Sequence, residues 1–264
     1  MIIKREVYSE PSKDNRMLHI YLPDDYKTSR KRYPVMYFYD GHNLFFNEDA
    51  TYGKSWGLKE FMESWNKEMI IVGIECGHNR NERMCEYLPY KVEKDGFLDE
   101  FEPKGDEIVK WILFTLKPMI DLEYPTYPFR ECTGIAGSSM GGLMALYAVI
   151  KYNDYISKAA CLSSSIMTCT DPILKDIEEG LNEDTRIYLS WGTNEAKGLT
   201  DKFNLDFTSI TYNANKKIEE ALLKEHVIVN LYCQVGGYHC EADWEKQNPL
   251  FMNFLWQNET VKNI

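Results

Sequence analysis

The chain has 264 residues, 44% of them hydrophobic and 14% aromatic, enough apolar side chain to fill a core and to exclude a disordered protein. Thirty Lys and Arg against 41 Asp and Glu leave a formal charge of −11, a field that repels phosphate backbones and anionic lipid, so neither nucleic acid nor a membrane surface is an expected partner. The apolar stretches, such as 143–150, fall far short of the roughly 20 residues a membrane helix needs, and the N-terminus runs at once into Lys4, Arg5 and Glu6 with no secretory leader pattern, so a cytoplasmic location is expected.

Along the chain, short runs rich in β-branched and aromatic residues alternate with longer segments of helical period. That is how a mostly parallel sheet flanked by helices reads. Strands are expected at 2–8, 16–22, 35–39, 69–75, 132–136, 158–162, 186–190 and 227–234, the first two as an antiparallel pair joined by the turn at 12–15. Helices are expected at 54–67, 107–122, 141–152, 213–225 and 241–258, with Pro118 kinking or shortening the second. The segments 77–105 and 193–211 fit no element, and loops of that length inside a compact domain commonly cover a site. One domain spanning residues 1–264 is expected, with about eight strands. The seven scattered cysteines contain no C-x-x-C pair and read as reduced thiols.

Gly137-Ser138-Ser139-Met140-Gly141 lies between the fifth strand and the following helix. This is the G-x-S-x-G nucleophile elbow in its strand-turn-helix context. A sharp turn there lifts Ser139 above the sheet edge, and the helix N-terminus presents free N–H groups where an oxyanion would form. A serine hydroxyl needs a base, and of five histidines only His239 both follows a strand and obeys the chain order serine, acid, histidine. His19 and His226 read as structural. Glu195, just beyond the strand at 186–190, is the expected acid, with Asp201 and Asp206 as competitors deeper in the same loop. The turn Asp40-Gly41-His42-Asn43 after the third strand is expected to supply the N–H of His42 as an oxyanion donor beside that of Met140. Trp56, Tyr87, Tyr90, Trp191 and Tyr238 fall near strand ends or in the long loops, where an aromatic platform for an acyl group or sugar could form. Ser163, Ser164 and Ser165 read as a turn or helix cap.

His42, Cys76, His78 and His239 could converge above the sheet, but their spacing matches no zinc pattern, and no metal is expected. No G-x-G-x-x-G follows a strand, so no dinucleotide cofactor is expected either.

Tyr39-Asp40-Gly41, Arg83-Met84-Cys85-Glu86-Tyr87-Leu88-Pro89, Gly137-Ser138-Ser139-Met140-Gly141-Gly142, Gly192-Thr193-Asn194-Glu195 and Gly237-Tyr238-His239 with Trp244 together resemble the esterase D-like family of α/β-hydrolases. That family includes feruloyl and acetylxylan esterases and enterobactin-type siderophore esterases. The resemblance implies the α/β-hydrolase fold, Ser139, Glu195 and His239 as a triad, and the N–H groups of His42 and Met140 as the oxyanion hole. It also implies that Arg83 and Glu86 form an Arg-x-x-Glu block near the mouth of the site, where a loop-pinning ion pair is the alternative. The expectation is a serine esterase without a cofactor, acting on a small-molecule or oligosaccharide ester. Feruloyl or acetyl sugar esters come first, a siderophore second, and an inactive binding protein on the same fold is the reading from another class.

Overall fold

The computed structural model describes residues 1–92, 100–196 and 206–257. Its centre is a single eight-stranded sheet in the order β1-β2-β4-β3-β5-β6-β7-β8. The strands are β1 Ile2–Ser9, β2 Asp14–Tyr21, β3 Val35–Tyr39, β4 Ile70–Ile74, β5 Thr133–Ser138, β6 Lys158–Leu162, β7 Arg186–Gly192 and β8 Ile228–Gln234. β2 is antiparallel to both β1 and β4, while β3 to β8 pair parallel.

Burial explains why these segments are strands. In β3 every residue is buried, and the period of two divides them: Val35, Tyr37 and Tyr39 join the larger core, whereas Met36 and Phe38 join the smaller one on the opposite face. The larger core is closed by α3 (Gly105–Trp111), α4 (Lys117–Glu123), α5 (Met140–Lys151), α6 (Thr170–Ile177) and α7 (Phe207–Lys224), and the smaller by α1 (Leu58–Ser64) and α9 (Asn248–Leu255). Of two short helices, α2 (Glu82–Glu86) lies within the segment 77–105 and α8 (Glu241–Glu245) follows the turn after β8. The α/β-hydrolase architecture expected from the sequence is therefore present.

Three departures have local causes. Residues 107–122, expected to kink or shorten at Pro118, run past it: α3 passes through a π-helical turn, Ile112–Leu116, into α4. Widening the turn accommodates the missing N–H and the ring, which would otherwise collide with the carbonyl four residues back. The expected helix at 241–258 is two helices, with Pro249 in the first turn of α9, where proline is tolerated. Helix α6 was not among the expected helices; its Pro172 sits in the first turn, where the missing N–H removes no intrahelical bond.

The C-terminal ends of the parallel strands put His42, Glu75, Ser139, Ser163, Glu195 and His239 along one edge. The tightest point of that edge is the turn from β5 into α5. Ser139 has φ 58° and ψ −125°, a conformation that costs energy for any residue with a Cβ and persists only where the surroundings impose it. They do so through contact: a Cβ on Gly137 would lie 2.5 Å from the backbone of Gly141. Gly137→Ala is accordingly expected to lower stability by about 1–3 kcal/mol in urea denaturation, and to reduce ester hydrolysis more than stability accounts for.

Candidate active site

Ser139 and His239 line a common cavity of about 450 Å3 above the strand ends, together with Asp40, His42, Glu241 and Trp244. Ser139 is fixed by its own backbone: its N–H donates to Leu162 O at 3.0 Å, and its carbonyl accepts from Ser165 N–H at 3.1 Å. Met140 opens α5 and His42 lies in the first turn of the 3-10 helix Gly41–Asn43, so neither N–H has a partner within its helix.

His239 Nδ1 is 3.4 Å from Glu195 Oε2. The other oxygen of Glu195 accepts from the Gly192 N–H at 2.6 Å and from the Ser163 hydroxyl at 2.5 Å. Ser163 in turn accepts from the indole N–H of Trp244 at 2.8 Å, and Trp244 packs edge-on to the His239 ring at 5.2 Å between centroids. The carboxylate is thus held in one rotamer by two donors, leaving a lobe for the imidazole. Ser163, which the sequence suggested was only a turn residue, is the recurrent link in this chain. Its signal was positional: it follows β6, one strand over from the elbow.

The loops after β7 and β8 are laced together. Thr193 N–H donates to Gln234 O at 3.1 Å, Asn194 N–H to Gly237 O at 2.9 Å, and Gly236 N–H to Thr193 Oγ1 at 2.8 Å. Of the alternative acids, Asp206 caps α7 by accepting from Ser209 N–H at 3.1 Å, and Asp201 lies outside the described residues.

Arg83 reaches the cavity, but its guanidinium is committed. Nε and Nη2 each sit 2.8 Å from the two oxygens of Asp40, and the group stacks 4.8 Å over the Tyr87 ring. Asp40 has left-handed φ 55°, and its N–H donates to the Tyr87 hydroxyl at 3.0 Å. Burial pushes the Asp40 carboxyl up, but the adjacent Arg83 outweighs it and holds the group below its ordinary range. The arrangement clamps the turn that carries His42.

Glu86 does not reach the cavity. It is buried and ion-paired with Arg16, and it accepts from Ser12 Oγ and the Gly77 N–H, both at 2.8 Å. The aromatic platform is also absent as drawn: Trp191 is buried against Tyr212, and Tyr238, 49% exposed, lies outside the cavity lining. Tyr87 lies beneath Asp40, Tyr90 bonds Asp176 at 2.6 Å, and Trp56 packs in the smaller core. Among the described residues the aromatic lining comes from Tyr52 and Trp244 with the three imidazoles of His42, His78 and His239.

Glu241, two residues past His239, was not singled out by the sequence. It is 4% exposed and lines the cavity. Burial raises its carboxyl pKa, a rise only partly opposed by His239 and Arg83.

Residues 9–249 match the family model for esterases. The chain belongs to that esterase family. YbbA of Bacillus subtilis (strain 168) is 26% identical over 194 residues, covering 72% of each chain. A ferulic acid esterase superposes with a TM-score of 0.68 at 15% identity, over 97% of this chain and 96% of the other. The enterobactin esterase FES from Shigella flexneri, solved with enterobactin, superposes with a TM-score of 0.70 at 18% identity, over 97% of this chain and 59% of its own. At these identities the two structures share the fold with this chain.

Two outcomes are expected from the clamp and the acid's donors. Arg83→Met leaves the Asp40 charge buried without its partner, and should cost about 3 kcal/mol of folding free energy at neutral pH. Because the Asp40 pKa is depressed in the folded state, the pair's contribution is present above the ordinary carboxylate value and lost below it, so the gap to wild type should narrow under about pH 4 in denaturant titrations. Ser163→Ala removes a hydrogen bond to a charged group, about 1.5–3 kcal/mol, and should lower kcat about ten- to hundredfold with KM little changed; Ser163→Thr should recover most of it.

Proposed function

We propose that this member of the esterase family is a serine carboxylic-ester hydrolase working through an acyl-enzyme. The reading rests above all on one observation: an elbow serine with forced backbone geometry shares a cavity with an imidazole whose Nδ1 faces a doubly anchored carboxylate.

In this reading His239 Nε2 takes the Ser139 proton as Oγ attacks the ester carbonyl, forming a tetrahedral intermediate whose oxygen accepts from the N–H groups of His42 and Met140. Glu195 keeps Nδ1 protonated and stabilises the imidazolium. Collapse expels the alcohol, protonated by His239, and a water activated by the same imidazole releases the acid and regenerates the serine. No step calls for a cofactor.

The favoured substrates are acylated carbohydrates bearing feruloyl or acetyl groups. The likeness to a ferulic acid esterase over nearly the full length of both chains supports this choice. A siderophore trilactone is the second reading, favoured by the basic and imidazole side chains of Arg80, His42 and His78 at the cavity, which suit an anionic catecholate.

The test is a panel of methyl ferulate, p-nitrophenyl acetate, acetylated xylan and enterobactin. Ser139→Ala should lose about ten-thousandfold or more in kcat/KM, and Glu195→Gln about a hundred- to ten-thousandfold. Equal rates for wild type and Ser139→Ala would leave the inactive binding fold as the better description. A higher kcat/KM on enterobactin than on the sugar esters would reverse the order of substrates.

A further inference from the structure

Beside the cavity that holds Ser139 lies a second one of about 420 Å3, which shares His42, Thr51 and His78 with it and adds His19, Asp49 and Glu75. Three of the chain's five histidines therefore gather around two carboxylates, Glu75 and Asp49. Glu75 directly follows β4 and His78 comes three residues later, so both belong to one strand end, while His42 arrives from the neighbouring turn after β3. The His42 and His78 rings meet edge-on at 4.9 Å.

One donor atom each from His42, Glu75 and His78 fall within 4.8 Å of one another. His78 Nε2 and Glu75 Oε2 are 3.0 Å apart, close to the edge of a coordination polyhedron whose metal–ligand bonds are about 2.0–2.2 Å long. The second shell is also in place. The other oxygen of Glu75 is 2.6 Å from His19 Nε2, and His42 Nε2 is 2.9 Å from the Thr51 hydroxyl. Bonds of this kind fix the orientation of a ligating carboxylate and imidazole.

His42 is 7% exposed, and its Nδ1 is buried with no hydrogen-bond partner. A buried nitrogen that nothing in the protein satisfies needs an explanation. Asp49 Oδ2, in the same cavity, is also buried without a hydrogen-bond partner and lies 4.0 Å from His19 Nδ1.

We propose that His42, Glu75 and His78 form a binding site for a divalent borderline metal ion of the zinc or cobalt type. Two imidazoles and one carboxylate suit such ions, whereas magnesium and calcium prefer all-oxygen shells. The set differs from the one considered in the sequence: Cys76 lies against the Asp40–Arg83 pair and His239 against Glu195, so neither joins it. The ion would cross-link the turn carrying the His42 N–H to the loop after β4. It would thereby bind one half of the oxyanion region to a neighbouring strand end.

The experiment is calorimetric titration of tag-free, EDTA-treated and dialysed protein with ZnCl2, and does not depend on ester turnover. Wild type and Ser139→Ala should each take up one equivalent. His78→Ala and Glu75→Gln should bind at least about tenfold more weakly. The His78 side chain is 57% exposed, so its loss should leave the fold intact, which circular dichroism checks. Titration with Co2+ should give ligand-field bands without thiolate charge transfer. Absence of uptake by wild type, equal affinity in His78→Ala, or a thiolate band placing the ion on cysteine would each overturn the proposal.

Discussion

The site depends on one constraint, the backbone of Ser139. A residue with a Cβ held at φ 58° and ψ −125° would relax if it could, and three contacts prevent it: Gly137 pressed on Gly141, the Ser139 N–H held by Leu162 O, and the carbonyl held by Ser165. Two of the three come from the strand end and turn of β6. The strain in one turn is therefore carried by the neighbouring strand, and the buried sheet is what makes it tolerable.

From that point the arrangement spreads sideways along the sheet edge. Ser163, immediately after β6, holds Glu195 after β7, and Glu195 faces His239 after β8. On the other side the Asp40–Arg83 pair fixes the turn after β3. Each group is placed by the end of a different strand, so its position is as well defined as the sheet itself. This is why ligand sites of open parallel sheets lie at that edge.

Much of the fold was legible because it rests on local chemistry. β3 and β6 were expected with the bounds the structure gives, since a fully buried parallel strand reads as an unbroken apolar run. The expectation that paired His239 with Glu195 rested on chain order and on the place of each after a strand, and the two side chains do face one another. What sequence could not reveal was the use of groups that look ordinary in isolation. Arg83 and Glu86 lie on one short helix three residues apart, yet one clamps Asp40 and the other is locked to Arg16. Trp191 and Tyr90 read as a platform because hydrophobicity carries no direction; only packing shows that they face inward. The convergence of His19, His42 and His78 on Glu75 is a tertiary event with no spacing signature.

The lacing of the β7 and β8 loops has a consequence for descent and for engineering. Backbone bonds from Thr193 and Asn194 reach across to Gln234 and Gly237, and a Cβ on Gly192 would strike the Gly237 carbonyl. The carboxylate and the imidazole therefore ride on a single stiff unit rather than on two independent arms. Lineages should exchange these two segments together, as a cassette, and remodelling of the cleft should be tolerated most readily in the stretches that neither loop needs for its register.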